Sequence, residues 1–363
     1  MKKVGIITFH MAFNHGAMLQ AYALSKKLTL MGADVEIIDY RLPFIDRYHH
    51  KDVLKELLKK QGLIGFLKYI KRILKGNYYT TSWKKFYCFM TKKFPLSKQV
   101  FDEDFSLLQY DCYITGSDQI WNGTLTGGIQ SCYFLDFVPE SSKRIAYAAS
   151  SGSGTFGDSN LEMICGWLNK FDAIGIREQR LADYVNDELN ICAQTVLDPT
   201  LILDKDIWRE LVHKVPYKNY LLIYTFDEKP YIYEKAREYA MKHDLNIITL
   251  AYVKKDIGDD IYQLLEQGPE DFVSYIYYAD AVFTSSFHGT AFSIIFEKQF
   301  YCFPHPEYHE RTDSLLKTAG LLERYVFEGD ILADDEIDYT AVNQALKPAI
   351  TSSVEFLQKN VID

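Results

Sequence analysis

Short apolar runs that stop at a polar turn and restart as an amphipathic helix recur along this 363-residue chain, and that alternation constrains its fold most. A helix that links two parallel strands buries one face on their sheet, so repeated units of this kind read as α/β. The first spans residues 4–40: a strand at 4–9, a helix at 17–31 with Met18, Leu19, Tyr22, Leu24 and Leu28 inward and Gly32 as its stop, and a strand at 35–40. Strands are expected again at 110–115, 144–149 and 173–176, with another ending at Leu197, and helices after Asn160 and from Glu178. Asp198-Pro199-Thr200 is expected to halt regular structure, and 203–217, which holds Pro216, reads as the crossing between domains. The pattern then resumes with strands at 220–225, 246–251, 281–284 and 300–303 and helices at 231–243, at 269–278 and after Gly289. The fold expected is α/β, with two Rossmann-like domains, 1–203 and 204–363, facing a central cleft. The last helix is expected to return to the first domain.

An apolar share of 48% beside 25% charged residues excludes disorder and is enough for two cores. The six cysteines form no CxxC pair, so neither a zinc knuckle nor a redox motif is present, and they read as reduced thiols. The apolar run at the start ends in His and Asn after six or seven residues and reads as a strand, not a signal peptide. No later run approaches the roughly 18 apolar residues that span a bilayer. A cytoplasmic protein is expected, and no nucleic-acid partner. The net charge of −9 is unevenly spread: residues 51–98 hold thirteen Lys or Arg against Asp52 and Glu56. Leu54, Leu57, Leu58, Leu63, Ile64, Phe66, Leu67, Ile70, Ile73 and Leu74 recur there at helical spacing, which describes a basic amphipathic insertion at about 42–100. It reads either as a lid packed by its apolar face or as a peripheral contact with an anionic membrane surface.

Residues 281–292, AVFTSSFHGTAF, end a strand in two serines and open a helix at His288 and Gly289. Helix N-termini at strand ends favour anions, and histidine titrates near neutrality, so the turn is a candidate acid/base and anion site; a histidine packed between elements is the other reading. Four more loops would line the same cleft. Residues 10–16, HMAFNHG, offer Asn14, His15 and Gly16 at a helix start without the GxGxxG of a dinucleotide site; an ordinary turn capped by Asn14 is the other reading. Residues 115–121, TGSDQIW, offer Ser117, Asp118 and Gln119, with Asp118 placed to take a proton from a sugar hydroxyl or to cap a turn. Residues 150–154, SSGSG, read as a phosphate-binding nest or a flexible turn. Gly175-Ile176-Arg177-Glu178 delivers an arginine suited to carboxylate or phosphate, or to an ion pair, and Arg311 is a second candidate cation.

Together TFHMAFNHGAMLQAYAL, YDCYITGSDQIWN, RIAYAASSG, IGIRE, VLDPTLIL and TSSFHGTAF closely resemble the polysaccharide pyruvyl transferase family, in order from about Val4 to Tyr325. The resemblance implies a GT-B-like pair of Rossmann-like domains. It implies transfer of a pyruvyl group from phosphoenolpyruvate to a sugar, free or lipid-linked, giving a pyruvate ketal in exopolysaccharide or capsule biosynthesis. No metal or nucleotide cofactor is implied. His288 would be the acid/base and Asp118 its partner toward the acceptor. Asn14, His15, Gly16, Ser117, Gln119, Arg177, Ser286, Phe287, Gly289, Thr290 and Arg311 would bind substrate, with Arg177 suited to the donor's carboxylate or phosphate. The chain departs from the pattern at Ser286, where some members carry arginine, with Arg177, Arg311 or Arg144 as replacements, and at His15, where many carry tyrosine. A GT-B glycosyltransferase using a nucleotide sugar and a non-catalytic carbohydrate-binding protein are the alternative readings.

Overall fold

The computed structural model describes residues 1–41, 77–157, 159–226, 229–304 and 309–363. Seven strands build the first sheet: β1 (Lys3–Ile7), β2 (Asp34–Tyr40), β3 (Leu96–Val100), β4 (Cys112–Thr115), β5 (Lys143–Ala149), β6 (Ala173–Ile176) and β7 (Gln194–Thr195). Five build the second: β8 (Tyr220–Tyr224), β9 (Asn246–Leu250), β10 (Ile261–Leu264), β11 (Ala281–Thr284) and β12 (Gln299–Cys302). Their orders are β3-β2-β1-β4-β5-β6-β7 and β10-β9-β8-β11-β12, and every pairing is parallel. The central strands read as unbroken apolar runs because helices cover both faces; all five residues of β8 are buried. Each sheet reverses its order beside its first strand, which opens a crevice at the carboxyl ends. The chain thus folds as two Rossmann-like units of GT-B type.

The two sheets share a core. One continuous apolar cluster runs from Val4, Ile6, Leu19 and Ile114 of the first to Leu222, Phe272, Val282 and Phe292 of the second. The terminal helix Tyr339–Leu357 reaches back to the first sheet: Ser353 Oγ accepts from the Leu197 amide (2.9 Å), and Phe356 packs on Tyr147 at 6.0 Å between ring centroids.

The structure adds to the sequence reading and in places departs from it. Of the basic stretch, 51–76 lies outside the described residues, including all the apolar positions from Leu54 to Leu74 of the expected amphipathic insertion. Its remainder is built into the fold: helix Asn77–Lys93 turns Phe86, Phe89 and Met90 into the core, and β3 pairs with β2. Lys85 Nζ of that helix donates to the Glu266 carbonyl (2.8 Å) and pairs with Asp271 (2.9 Å) of the second unit. The segment 203–217 is packed: Trp208 is fully buried and donates its indole N–H to the Thr200 carbonyl at 3.1 Å. Asp198-Pro199-Thr200 opens helix Pro199–Ile202, with Asp198 as cap and proline in the first turn, where its missing N–H costs nothing. The sequence pattern does not reveal β10, because IYQL is too short and too polar to stand out.

Leu357, at the end of the returning helix, has no solvent exposure. Leu357→Ala is expected to lower unfolding free energy by about 2–5 kcal/mol in urea titration, as a cavity in a shared core should.

Candidate active site

The loops after β1, β4, β6 and β7 of the first sheet meet those after β11 and β12 of the second, and a buried charge cluster forms there. Asp198 is its centre. Its Oδ1 accepts from the Thr200 amide (3.0 Å) and hydroxyl (2.7 Å), and its Oδ2 from Ser117 Oγ (3.1 Å) and an Arg177 guanidinium nitrogen (2.7 Å). His288 Nε2, from the second unit, stands 3.7 Å from the same Oδ2, beyond hydrogen-bond reach. Burial alone would raise the Asp198 pKa; His288 and Arg177 outweigh it and hold the carboxyl well below the usual range. Burial likewise opposes the Arg177 charge, and Asp198 and Asp118 overcome it, so its pKa is raised.

Asp118 Oδ1 accepts from the second Arg177 nitrogen at 3.3 Å and lies 3.8 Å from Arg311. Its backbone takes φ 76°, a left-handed geometry that side chains other than glycine adopt at a cost. The Arg177 and Arg311 guanidiniums lie 4.9 and 5.7 Å from the centroid of the Phe287 ring. Burial and the neighbouring Arg177 push the Arg311 pKa down to about 10, so it stays cationic at neutrality. Behind the pair lies a cavity of about 80 Å³, bordered by Arg177, Asp198, Phe287, Arg311, Ser314 and Thr318.

Gly16 bears on this cluster through its missing side chain. A Cβ there would fall 1.9 Å from His288 Nδ1, so the imidazole lies flush against the backbone at the start of helix His15–Leu30. The close approach that the glycine permits is therefore to His288. Helix Phe287–Ile295 holds the ring in its first turn, with Ser286 as cap and its hydroxyl facing the Gly289 amide at 3.4 Å.

The structure thus gathers Gly16, Ser117, Asp118, Arg177, Phe287, His288 and Arg311, and it gives the other candidates local tasks. Asn14 caps its helix through Ala17 N (3.2 Å). Gln119 bonds Asn122 (2.8 Å). Gly289 packs where a Cβ would meet Thr284 Oγ1 at 2.1 Å, and Thr290 turns inward to the Ser286 carbonyl and Cys302. His15 sits between units in an aromatic box, stacked on Tyr252 and Phe272, its Nδ1 facing the Tyr252 (2.8 Å) and Tyr224 (3.2 Å) hydroxyls. Arg144 lies at the amino end of β5, at the opposite end of the strand from the cluster, and donates to the Val138 carbonyl. The SSGSG nest is filled by the chain itself: Glu178 Oε1 accepts from Ser150 Oγ (2.6 Å) and from the Ser151 and Gly152 amides (both 3.1 Å). The sequence pattern does not single out Asp198 or Glu178 as site residues, although a polar Asp-Pro-Thr directly after a strand is the available signal for Asp198.

A family model for polysaccharide pyruvyl transferase matches residues 14–307. The chain belongs to the polysaccharide pyruvyl transferase family. Its match takes in every member of the cluster except Arg311, which lies just beyond it. No curated protein matches the sequence. Solved structures share the fold at low identity. A UDP-N-acetylglucosamine 2-epimerase aligns with TM-score 0.57 at 11% identity over 99% of this chain and 96% of that one. The Neisseria meningitidis UDP-GlcNAc 2-epimerase bound to UDP-GlcNAc aligns at 0.54 and 8% over all of both chains. The S. aureus MnaA–UDP structure aligns at 0.54 and 11% over 96% and 88%. Membership in this family implies a transferase acting on a sugar or oligosaccharide, and among the described residues no helix is long and apolar enough to cross a membrane.

Gly16→Ala is expected to wedge the two units apart, costing about 1–3 kcal/mol in thermal or urea unfolding, because the added methyl group would overlap the His288 ring and force one of them to move. Burial drives the His15 pKa from the ordinary 6.5 to about 3, so the folded state binds fewer protons there than the unfolded chain, and stability falls as pH drops below 6.5. His15→Phe is expected to flatten the fall in Tm between about pH 6.5 and 4; an unchanged slope would remove His15 from that dependence.

Proposed function

We propose that this family member transfers a pyruvyl group from phosphoenolpyruvate to two hydroxyls of a sugar, forming a ketal and releasing phosphate. One observation carries the reading: an imidazole from one unit meets two guanidiniums and two carboxylates from loops of both units, at the carboxyl ends of both sheets. Phosphoenolpyruvate carries a phosphate and a carboxylate, which planar arginine forks bind in pairs. Arg177 and Arg311 take that part, and Arg311 supplies the charge that Ser286 lacks. His288 protonates the enol carbon, C3, and a sugar oxygen then bonds to C2. The C2–O bond to phosphate breaks, and a second hydroxyl closes the ketal. Two hydroxyl protons are lost in all; one is made good at C3 and the other leaves with the phosphate. Asp118 orients the attacking hydroxyl and accepts its hydrogen bond. Asp198, bound on four sides, positions His288 and Arg177.

Phosphate release from phosphoenolpyruvate, measured with a panel of lipid-linked and nucleotide-linked sugars, tests this. His288→Ala should slow it about 100-fold or more, as loss of a general acid does. Undiminished turnover takes His288 out of the mechanism. Thermal stabilisation offers an independent check: phosphoenolpyruvate should raise Tm, and a shift with UDP- or GDP-sugars alone would favour glycosyl transfer instead.

A further inference from the structure

Two carboxylates face Arg177, and they are held very differently. Asp198 has no side-chain exposure, and four hydrogen bonds of 2.7–3.1 Å fix it in place. Asp118 keeps 11% of its side chain exposed. Among the described residues its carboxylate makes one hydrogen bond of 3.3 Å, to Arg177, and a looser contact of 3.8 Å, to Arg311. The Nε atoms of both arginines are buried and have no hydrogen-bond partner among the described residues. Counting Glu178, three carboxylates stand against two guanidiniums, so the cluster is already supplied with negative charge. An anionic substrate entering beside all three would be repelled unless one of them gave way.

We infer that Asp118 is a placeholder anion, one that occupies the position between Arg177 and Arg311 and yields it to the anionic group of the incoming donor. The inference rests on the phosphoenolpyruvate reading of the site. Exchange keeps both guanidiniums paired at every stage, which matters because an unpaired buried charge is costly. Asp198 is not the one displaced, since leaving would break four short hydrogen bonds and strand the Thr200 amide at a helix start. The displaced Asp118 carboxylate then faces the acceptor, so donor binding releases the group that orients the sugar hydroxyl. Donor first, acceptor second is the order this imposes.

The test measures binding to the full-length chain by calorimetry, with inorganic phosphate and with phosphoenolpyruvate as separate probes. Asp118→Asn removes the charge. Asp118→Gly removes the whole side chain and suits the φ of 76°, so it guards against a folding failure. Both variants should bind each probe about tenfold more tightly than the unaltered chain, because a repelling neighbour is gone, while turnover falls. Adding Arg311→Ala to Asp118→Gly should abolish the gain. If the unaltered chain binds the probes and neither variant binds better, the placeholder role is overturned and the donor reading stands. If the unaltered chain and both variants bind neither probe, the donor reading falls as well. Tighter binding in the variants that survives loss of Arg311 would also overturn the assignment, since the gain would then come from elsewhere.

Discussion

A carboxylate without solvent exposure stays ionised only when donors and cations surround it, and Asp198 meets that condition with groups drawn from four loops. Thr200 lies on its own helix, Ser117 follows β4, Arg177 follows β6, and His288 comes from the other unit. A neutral carboxyl would leave the Arg177 guanidinium without its nearest counter-ion. The geometry of the cluster is thus set by the need to satisfy one buried charge, and the open side of Arg177, with Arg311 and Asp118, is what remains for chemistry. The two halves of the cluster differ in rigidity for that reason.

The parallel sheets explain why such a cluster lies where it does. The residues of the cluster all come from segments that follow strands, at the carboxyl ends of the two sheets. The apolar cluster that runs through both units fixes their separation, and helix Asn77–Lys93 adds an ionic tie through Lys85 and Asp271. The nest after β5 holds Glu178, which turns a potential phosphate site into a strut between neighbouring loops.

Much of this is legible from the chain alone. The alternation of apolar strands and amphipathic helices marks ten of the twelve strands among the described residues, because strands buried on both faces read as plain apolar runs. β3 and β10 escape, being partly exposed edge strands with mixed polarity. Arg177 is visible because it directly follows a strand, and His288 because it opens the helix after one. Asp198 hides behind its proline: the same Asp-Pro-Thr that caps a helix also reads as a break. His15 shows the opposite limit, since nothing local to HMAFNHG tells that its ring will be enclosed by Tyr224, Tyr252 and Phe272 from distant strands and helices. Polar residues in turns declare themselves, but their partners come from tertiary packing that pattern does not encode.

The contact between Gly16 and His288 carries a consequence for how sequences of this kind drift. The seam is cut to the thickness of one imidazole lying on bare backbone, so neither position is free to vary alone. A side chain at 16 demands a smaller or displaced group at 288, and a bulkier group at 288 has nowhere to go while the two units stay joined by a common core. Across relatives these two positions, far apart in the chain, should behave as a single inherited character.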